Sequence, residues 1–227
     1  MTSQSPKLGM TAAKTPPGIW VGQPLHFVCA AILIVFVWVA WEFDSQPFPV
    51  AFWIAVAVPV VHQMFVWLAW RLEFRSSVIS KAIGFRGYLA CFFLLSVSRF
   101  ISLFALGWMD RGSLKLHILP QTIVTALLAL LGGYAAYSVK RYFGMTRAAG
   151  ADHFEPRYRD MPHVKEGIFR FTDNGMYIFA FLLFWAIAVG FDSTAALTVA
   201  AFSHAYIWVH FFATEKPDMD YLYAHDG

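Results

Sequence analysis

Six long apolar segments constrain the fold of this chain more than any other feature of its sequence. They cover residues 25–41, 49–70, 88–108, 116–137, 175–191 and 195–214. A helix needs about 20 apolar residues to cross a bilayer, and a spanning segment must satisfy its own backbone hydrogen bonds. The sequence therefore predicts an all-α protein, a polytopic membrane helix bundle with about six transmembrane helices.

The composition of the chain agrees with a membrane protein. Hydrophobic residues make up 59% of it and charged residues only 14%, whereas a soluble domain has about 25% charged residues. The net charge of +3 is too small to favour a nucleic-acid partner. Cys29 and Cys91 lie in apolar segments, where a free thiol behaves as a small hydrophobic group. We therefore expect two free cysteines and no disulfide.

Lysine and arginine are distributed unequally between the two predicted sides of the membrane. One side holds 14 of the 17 and the other holds two, with Arg99 inside a span. Cytoplasmic loops carry the excess of these residues, so we predict cytoplasmic N- and C-termini. The predicted organisation is a disordered tail (1–20) and a single membrane domain (21–227). That domain comprises a four-helix part (21–139) and a cytoplasmic loop with a helical hairpin (140–227).

The longest polar stretch between apolar segments, residues 140–171, carries the first candidate site. Asp152 and His153 are adjacent there, and an imidazole beside a carboxylate suits a general base. A solvated pair is the alternative. Gly150 would allow the backbone to approach a ligand closely. Arginines suit phosphate because of their bidentate fork, although ordinary attraction to anionic head groups is the alternative. The arginines concerned are Arg157, Arg159 and Arg170.

Polar residues also follow one stripe of the last apolar segment. Ser203, Tyr206, His210 and Thr214 share a face of a regular helix, and Glu215 follows at its polar end. Polar groups at membrane depth usually face a cavity or the interior of a bundle. The alternative is that they form hydrogen bonds between packed helices.

Three further polar residues lie inside predicted spans. Arg99 is expected to form a structural pair with a carboxylate or a lipid phosphate. His62 is expected to be a core histidine with its hydrogen bonds satisfied. If His62 and His204 faced each other, they would provide the two ligands that a haem needs. We expect no metal site beyond that possibility.

The C-terminal part of the sequence resembles the integral-membrane methyltransferases. It combines an apolar hairpin ending in Glu215-Lys216-Pro217 with the preceding segment Gly167-Ile-Phe-Arg-Phe-Thr-Asp-Asn-Gly-Met-Tyr177. This order resembles the phospholipid N-methyltransferases and the isoprenylcysteine carboxyl methyltransferases over residues 140–220. Two departures stand out: Asp173-Asn174-Gly175 replaces the usual Arg-His-Pro, and Lys216 replaces a second glutamate.

The resemblance implies S-adenosylmethionine as the cofactor, bound at the cytoplasmic ends of the last helices. The acceptor would be a membrane lipid, most simply a phospholipid amine, entering from the bilayer. Asp152 and His153 would then act as the base, and Arg157, Arg159 and Arg170 would bind the lipid phosphate. The residues expected to bind the cofactor are Asn174, Tyr177, Tyr206, His210 and Glu215. The alternative functions are an NADPH-dependent membrane reductase and a non-enzymatic haem-binding or assembly-partner protein.

Overall fold

The structure, a computed structural model, describes residues 15–223, and this part of the chain contains helices and no β-strand. The predicted all-α class is confirmed. The helices are α1 (Gln23–Phe43), α2 (Pro49–Ser76), α3 (Val78–Ala82), α4 (Gly84–Met109), α5 (Ile118–Ser138), α6 (Met145–Ala148), α7 (Leu182–Gly190), α8 (Thr194–His210) and α9 (Lys216–Leu222).

Three π-helical turns interrupt the regular helices of the described chain. The first (Val139–Phe143) extends α5, the second (Met176–Ala180) leads into α7, and the third (Phe211–Glu215) joins α8 to α9. After the short helix α6, the polar stretch contains three 3-10 turns, at Ala151–His153, Pro156–Tyr158 and Gly167–Arg170. Single π turns inside α-helices are frequent at functional sites.

Five helices of the described chain are long and apolar enough to cross a membrane, where the sequence predicts about six. These five are Gln23–Phe43, Pro49–Ser76, Gly84–Met109, Ile118–Phe143 and Thr194–Leu222. The remaining predicted span, 175–191, is present as the shorter apolar helix Met176–Gly190. It ends where Asp192 adopts a left-handed backbone conformation with φ 56°. Both arms of the predicted helical hairpin are therefore helical, but the first arm is short.

The core lies between α1, α2, α4 and α8. Phe52, Leu106, Val199 and Tyr206 are fully or almost fully buried there. Small residues of α8 such as Ala196 let neighbouring helix backbones approach closely, as in other membrane bundles. Large apolar side chains on the outer surface are exposed instead, and a helix that is apolar on all sides suits contact with lipid.

Hydrogen bonds tie the end of α4 to the start of α8. The Asp110 carboxylate accepts from the Ser193 hydroxyl at 2.6 Å and from the Ala195 backbone N–H at 3.0 Å. Ser193 also caps α8 by accepting from the Ala196 N–H, as its position before the last helix predicts. We call this end of the bundle the closed end, and the opposite end, which the polar stretch covers, the loop end.

The segment before α1 packs on α2. The Gly18 carbonyl accepts from Arg71 at 2.8 Å, and the Ile19 carbonyl accepts from the Trp67 indole at 2.9 Å. Residues 1–14 of the predicted disordered tail lie outside the described residues. Both cysteines are free and half-buried, as predicted.

Candidate active site

Asp152 and His153 belong to a buried network at the loop end. His153 Nδ1 lies 2.9 Å from Asp152 Oδ1, and its Nε2 lies 3.3 Å from Asp218 Oδ2. The imidazole also stacks on Trp70, with ring centroids 3.9 Å apart. Loop and α9 are therefore joined through one histidine ring that sits between two carboxylates.

Two carboxylates keep this imidazole protonated. Burial by itself lowers the pKa of His153, but the hydrogen bonds to Asp152 and Asp218 outweigh it and raise the pKa to about 9. For Asp152 the directions are reversed. Burial raises its pKa, but the hydrogen bonds from His153 and Tyr223 outweigh burial and hold the pKa below its ordinary value. A charged imidazole that already donates from both nitrogens is a poor proton acceptor. The general-base role stays a prediction that this geometry does not favour.

Arg71 completes the network from the opposite side. Its Nε lies 3.0 Å from Asp218 Oδ1, and both side chains are fully buried. The same guanidinium donates to backbone carbonyls of Gly18 and Thr214. Buried charges are tolerated when they are paired and hydrogen-bonded, and here two cations face two carboxylates. The network thus joins α2, the polar loop, α9 and the segment before α1.

Gly150 has a left-handed backbone conformation with φ 78°, and a Cβ at this position would lie 2.3 Å from Trp70 Cζ2. The close neighbour of its Cα is therefore an indole, and the expectation that Gly150 admits a ligand stays a prediction. The chain is also fixed there by Tyr88, whose hydroxyl donates to the Ala149 carbonyl and accepts from the Trp70 indole. Gly150 consequently places the loop against α2.

Two cavities lie beneath this network. The first, about 470 Å³, lies between the polar loop and α9, and we call it the loop cavity. The second, about 270 Å³, lies inside the bundle between α2, α4 and α7, and we call it the helix cavity. The loop cavity has a mixed polar and aromatic wall, whereas the helix cavity is largely apolar. Both are lined by Trp70, Ala148, Met176, Tyr177 and Glu215, so they meet at these residues.

Tyr177 and Glu215 form the polar part of this junction. The Tyr177 hydroxyl donates a hydrogen bond to Glu215 Oε2. Tyr177 lies in the second π turn and Glu215 in the third. In a regular α-helix, residues five apart point about 140° away from each other. His210 and Glu215 are five residues apart, and the wider π turn between them brings both towards the same side. Both residues line the helix cavity. The sequence contains no signal for this turn.

The predicted cofactor-binding residues fall into three groups. Asn174, Tyr177 and Glu215 line the loop cavity. His210 lines only the helix cavity. Tyr206 lines neither, because its hydroxyl lies 3.0 Å from Nε2 of His26 on α1, in the packed core. The polar stripe therefore holds a packing contact at Tyr206. The cofactor-binding role of Tyr206 stays a prediction that this position does not favour.

The predicted phosphate-binding arginines lie outside both cavities. Arg157 is exposed and forms an ion pair with Glu155 at 2.6 Å. Arg159 donates to the Asp152 backbone carbonyl at 2.7 Å, and Arg170 is exposed. The arginine and lysine that do line the loop cavity are Arg147 and Lys216, which sequence reasoning missed. The substrate-binding role of Arg157, Arg159 and Arg170 stays a prediction.

His62 corrects one further expectation, and Arg99 corrects the carboxylate part of another. Within residues 15–223, neither ring nitrogen of His62 has a hydrogen-bond partner, so it is not a satisfied core histidine. Arg99 pairs with no carboxylate of the described chain; its guanidinium carbon lies 5.2 Å from the ring centroids of Phe181 and Phe184. Nε and Nη2 of Arg99 also lack partners. Both residues line the helix cavity.

The structure does not place His62 and His204 as a pair. His204 accepts a hydrogen bond from the Trp185 indole at 3.1 Å and stacks on Phe181, outside the helix cavity. Among the described residues, no group of three or more His, Cys, Asp or Glu side chains is arranged to hold a metal ion.

Comparison with known families identifies the part of the chain that forms this site. Residues 120–226 match the family described as PEMT, phospholipid methyltransferase. This region begins in α5 and contains every residue that lines the loop cavity except Trp70. No curated protein and no solved structure matches the chain. The resemblance to the integral-membrane methyltransferases is thus confirmed, and the match supports a membrane methyltransferase.

Proposed function

From the phospholipid methyltransferase match of residues 120–226, we propose that this protein transfers a methyl group from S-adenosylmethionine to a phospholipid amine. One observation carries the proposal. The loop cavity, with its mixed polar and aromatic wall, and the largely apolar helix cavity meet at Tyr177 and Glu215, inside the matched region. Methyl transfer needs a water-soluble donor and a lipid acceptor in contact, and this junction is where their two sites touch.

The loop cavity fits the donor. Its volume of about 470 Å³ lies within the range of about 300–1,000 Å³ that is usual for cofactor sites. Asn174 offers both a donor and an acceptor for ribose or amino-acid groups. The rings of Trp208 and Phe211 line the same cavity, and aromatic faces attract a cation such as a sulfonium. Asn174 stands within the segment that replaces the family's usual Arg-His-Pro, so a polar side chain is retained there.

S-adenosylmethionine supplies a methyl group on a positively charged sulfur, which a nucleophile displaces in line. The protein's task is to align the two reactants, since positioning contributes much of the rate enhancement. An ammonium must lose its proton before it can attack. Glu215 is the carboxylate at the junction, and the hydrogen bond from Tyr177 holds one of its oxygens. We assign Glu215 to bind the acceptor ammonium and to accept its proton.

Asp152 and His153 receive a positioning role in this proposal. The protonated His153 ring links Asp152 on the loop with Asp218 on α9. This link keeps the loop over the loop cavity and limits the entry of water. The lysine and arginine excess on this side of the sequence supports a cytoplasmic loop end, where the donor would enter from solution.

The alternative function, that of an NADPH-dependent membrane reductase, requires a site for the 2′-phosphate of NADPH. Arg157, Arg159 and Arg170, which would suit that phosphate, do not line the loop cavity. The family match also favours methyl transfer. A direct comparison of the two cofactors separates these functions.

Isothermal titration of the detergent-solubilised protein with S-adenosylhomocysteine tests the proposal. We expect binding that Asn174→Ala weakens about tenfold, which corresponds to the loss of roughly one good hydrogen bond. Arg170→Ala is the matched control, because this exposed side chain lies outside both cavities. NADPH should not bind. A folded protein that binds NADPH, or that fails to bind S-adenosylhomocysteine, contradicts the proposal.

A further inference from the structure

Three basic side chains face the helix cavity without hydrogen-bond partners. His62, Arg99 and His210 are 4%, 8% and 2% exposed. Both ring nitrogens of each histidine, and Nε and Nη2 of Arg99, have no partner among the described residues. Buried polar groups are nearly always hydrogen-bonded, and arginine keeps its charge in proteins. Side chains of this kind at membrane depth mark a functional site.

The cavity around them has no compensating charge near Arg99. Glu215 is the single carboxylate among its described lining residues, and it lies at the junction with its oxygen bonded to Tyr177. The remaining wall is dominated by apolar side chains, among them Phe92, Phe93 and Leu183. A cavity with a cationic centre, apolar walls and a carboxylate at its mouth suits a ligand with a buried oxyanion.

The order of these groups along the bundle can be estimated from the contact between Asp110 and Ser193 at the closed end. With a rise of about 1.5 Å per residue, Arg99 lies about 17 Å from that end and His210 about 26 Å. Glu215 lies one π turn further along the same helix. Helical side chains lean towards the N-terminus of their own helix. Arg99 on α4 therefore leans towards the loop end, and Glu215, beyond α8, leans towards the closed end. Their charged groups are thus closer than their backbones.

We propose that Arg99, with His62 and His210, binds the phosphate diester of an amphiphilic lipid in the helix cavity. The guanidinium fork matches the paired oxygens of a phosphate, and each neutral imidazole adds one N–H donor. The identification of this ligand as the methyl acceptor rests on the proposed function. The amine of such a lipid lies on the Glu215 side of its phosphate, which places it towards the junction with the loop cavity.

This assignment places two of the three proposed phosphate ligands in the part of the chain outside the family match. His62 lies on α2 and Arg99 on α4, both before residue 120. A simple alkyl amine would meet Glu215 but would leave Arg99 unpaired. The site therefore favours a lipid with both an amine and a phosphate over an apolar amine.

Binding of dodecylphosphocholine tests the proposal, with dodecyltrimethylammonium as the matched probe that lacks the phosphate. Neither can be methylated further at nitrogen, so the result does not depend on catalysis. For the wild-type protein in dodecyl maltoside, we expect the phosphocholine to bind at least tenfold tighter. Arg99→Met should abolish that preference, whereas Arg157→Met, at an exposed arginine, should retain it. An unchanged preference in folded Arg99→Met overturns the proposal.

Three further measurements complete the test. S-adenosylhomocysteine should bind Arg99→Met as well as it binds the wild type. Loss of donor binding would therefore count against the proposed function and not against this lipid site. Inorganic phosphate at equal concentration should not compete; equal competition would mean a free-anion site and would overturn the lipid assignment. If Arg99→Met does not fold, Arg99→Lys and His62→Leu replace it. A full preference in both would also overturn the proposal.

Discussion

The hydroxyl of Tyr177 donates a hydrogen bond to the carboxylate of Glu215, and each residue lies in its own π-helical turn. The two turns come from different arms of the C-terminal helical hairpin. They meet where the loop cavity and the helix cavity join. This contact therefore connects the proposed donor site with the proposed acceptor site.

Tyr177→Phe removes the hydroxyl and leaves the Glu215 carboxylate without this partner. A hydrogen bond to a charged group contributes about 1.5–3 kcal/mol, so we expect kcat to fall by roughly 10–100-fold. The phenyl ring keeps its packing against Trp208 and Phe211. Affinity for S-adenosylhomocysteine should change less than kcat. Equal methyl-transfer rates for variant and wild type would show that this hydrogen bond has no catalytic role.

Gly150→Ala should destabilise the loop end. The added Cβ would lie 2.3 Å from Trp70 Cζ2, at a backbone φ of 78° that alanine rarely adopts. Overpacking of this kind costs about 1–3 kcal/mol. Gly133→Ala is the matched control, since a Cβ there meets nothing within 4 Å. Thermal unfolding should show a lower Tm for the first variant only, and a wild-type Tm for Gly150→Ala would contradict the described packing.

The His153 network predicts a pH-dependent stability. The folded-state pKa of His153 is raised from 6.5 to about 9. Its stabilising contribution is therefore complete below about pH 6.5 and is lost as the pH rises through about 9. The free energy of unfolding should fall by at most a few kcal/mol across that range. Urea unfolding at several pH values measures the slope, which His153→Gln should flatten. An equally steep slope in that variant would assign the titration to another group.

Arg71 and Asp218 should be strongly interdependent. Both are fully buried and 3.0 Å apart. Removing one partner of a buried ion pair leaves an uncompensated charge and typically costs about 3–5 kcal/mol. Arg71→Met and Asp218→Asn should each destabilise the protein by about that amount. The double variant should be less destabilised than the sum of the two, and a double-mutant cycle measures the coupling. Strict additivity would contradict a direct pair.

Hydropathy predicts the helical class well because a backbone in lipid must form its hydrogen bonds within helices. The hairpin and its Ser193 cap follow from local sequence. Asn174 and Tyr177 lie in one short segment, and Glu215 lies at the end of one helix. The structure brings all three to the loop cavity. The sequence therefore predicts best those features whose residues lie close along the chain.

The remaining features depend on contacts between distant segments. His62 and Arg99 are isolated in their own helices, so only the assembled bundle shows that both face one cavity without partners. The hydroxyl of Tyr206 contacts the imidazole of His26, which is 180 residues away along the chain. The π turn after His210 has no sequence signature and turns Glu215 towards the cavities. Positive charge in the polar loop points to Arg157, but that side chain stays in solvent.

Transfer of a radiolabelled methyl group from S-adenosylmethionine to phosphatidylethanolamine, in nanodiscs that contain the purified protein, tests the central claim most directly. We expect label in the extracted phospholipid for the wild type and for Arg170→Ala, and at least a 100-fold lower rate for Glu215→Gln. The same rate for Glu215→Gln and wild type, or no label at all from a protein that binds S-adenosylhomocysteine, would contradict the account.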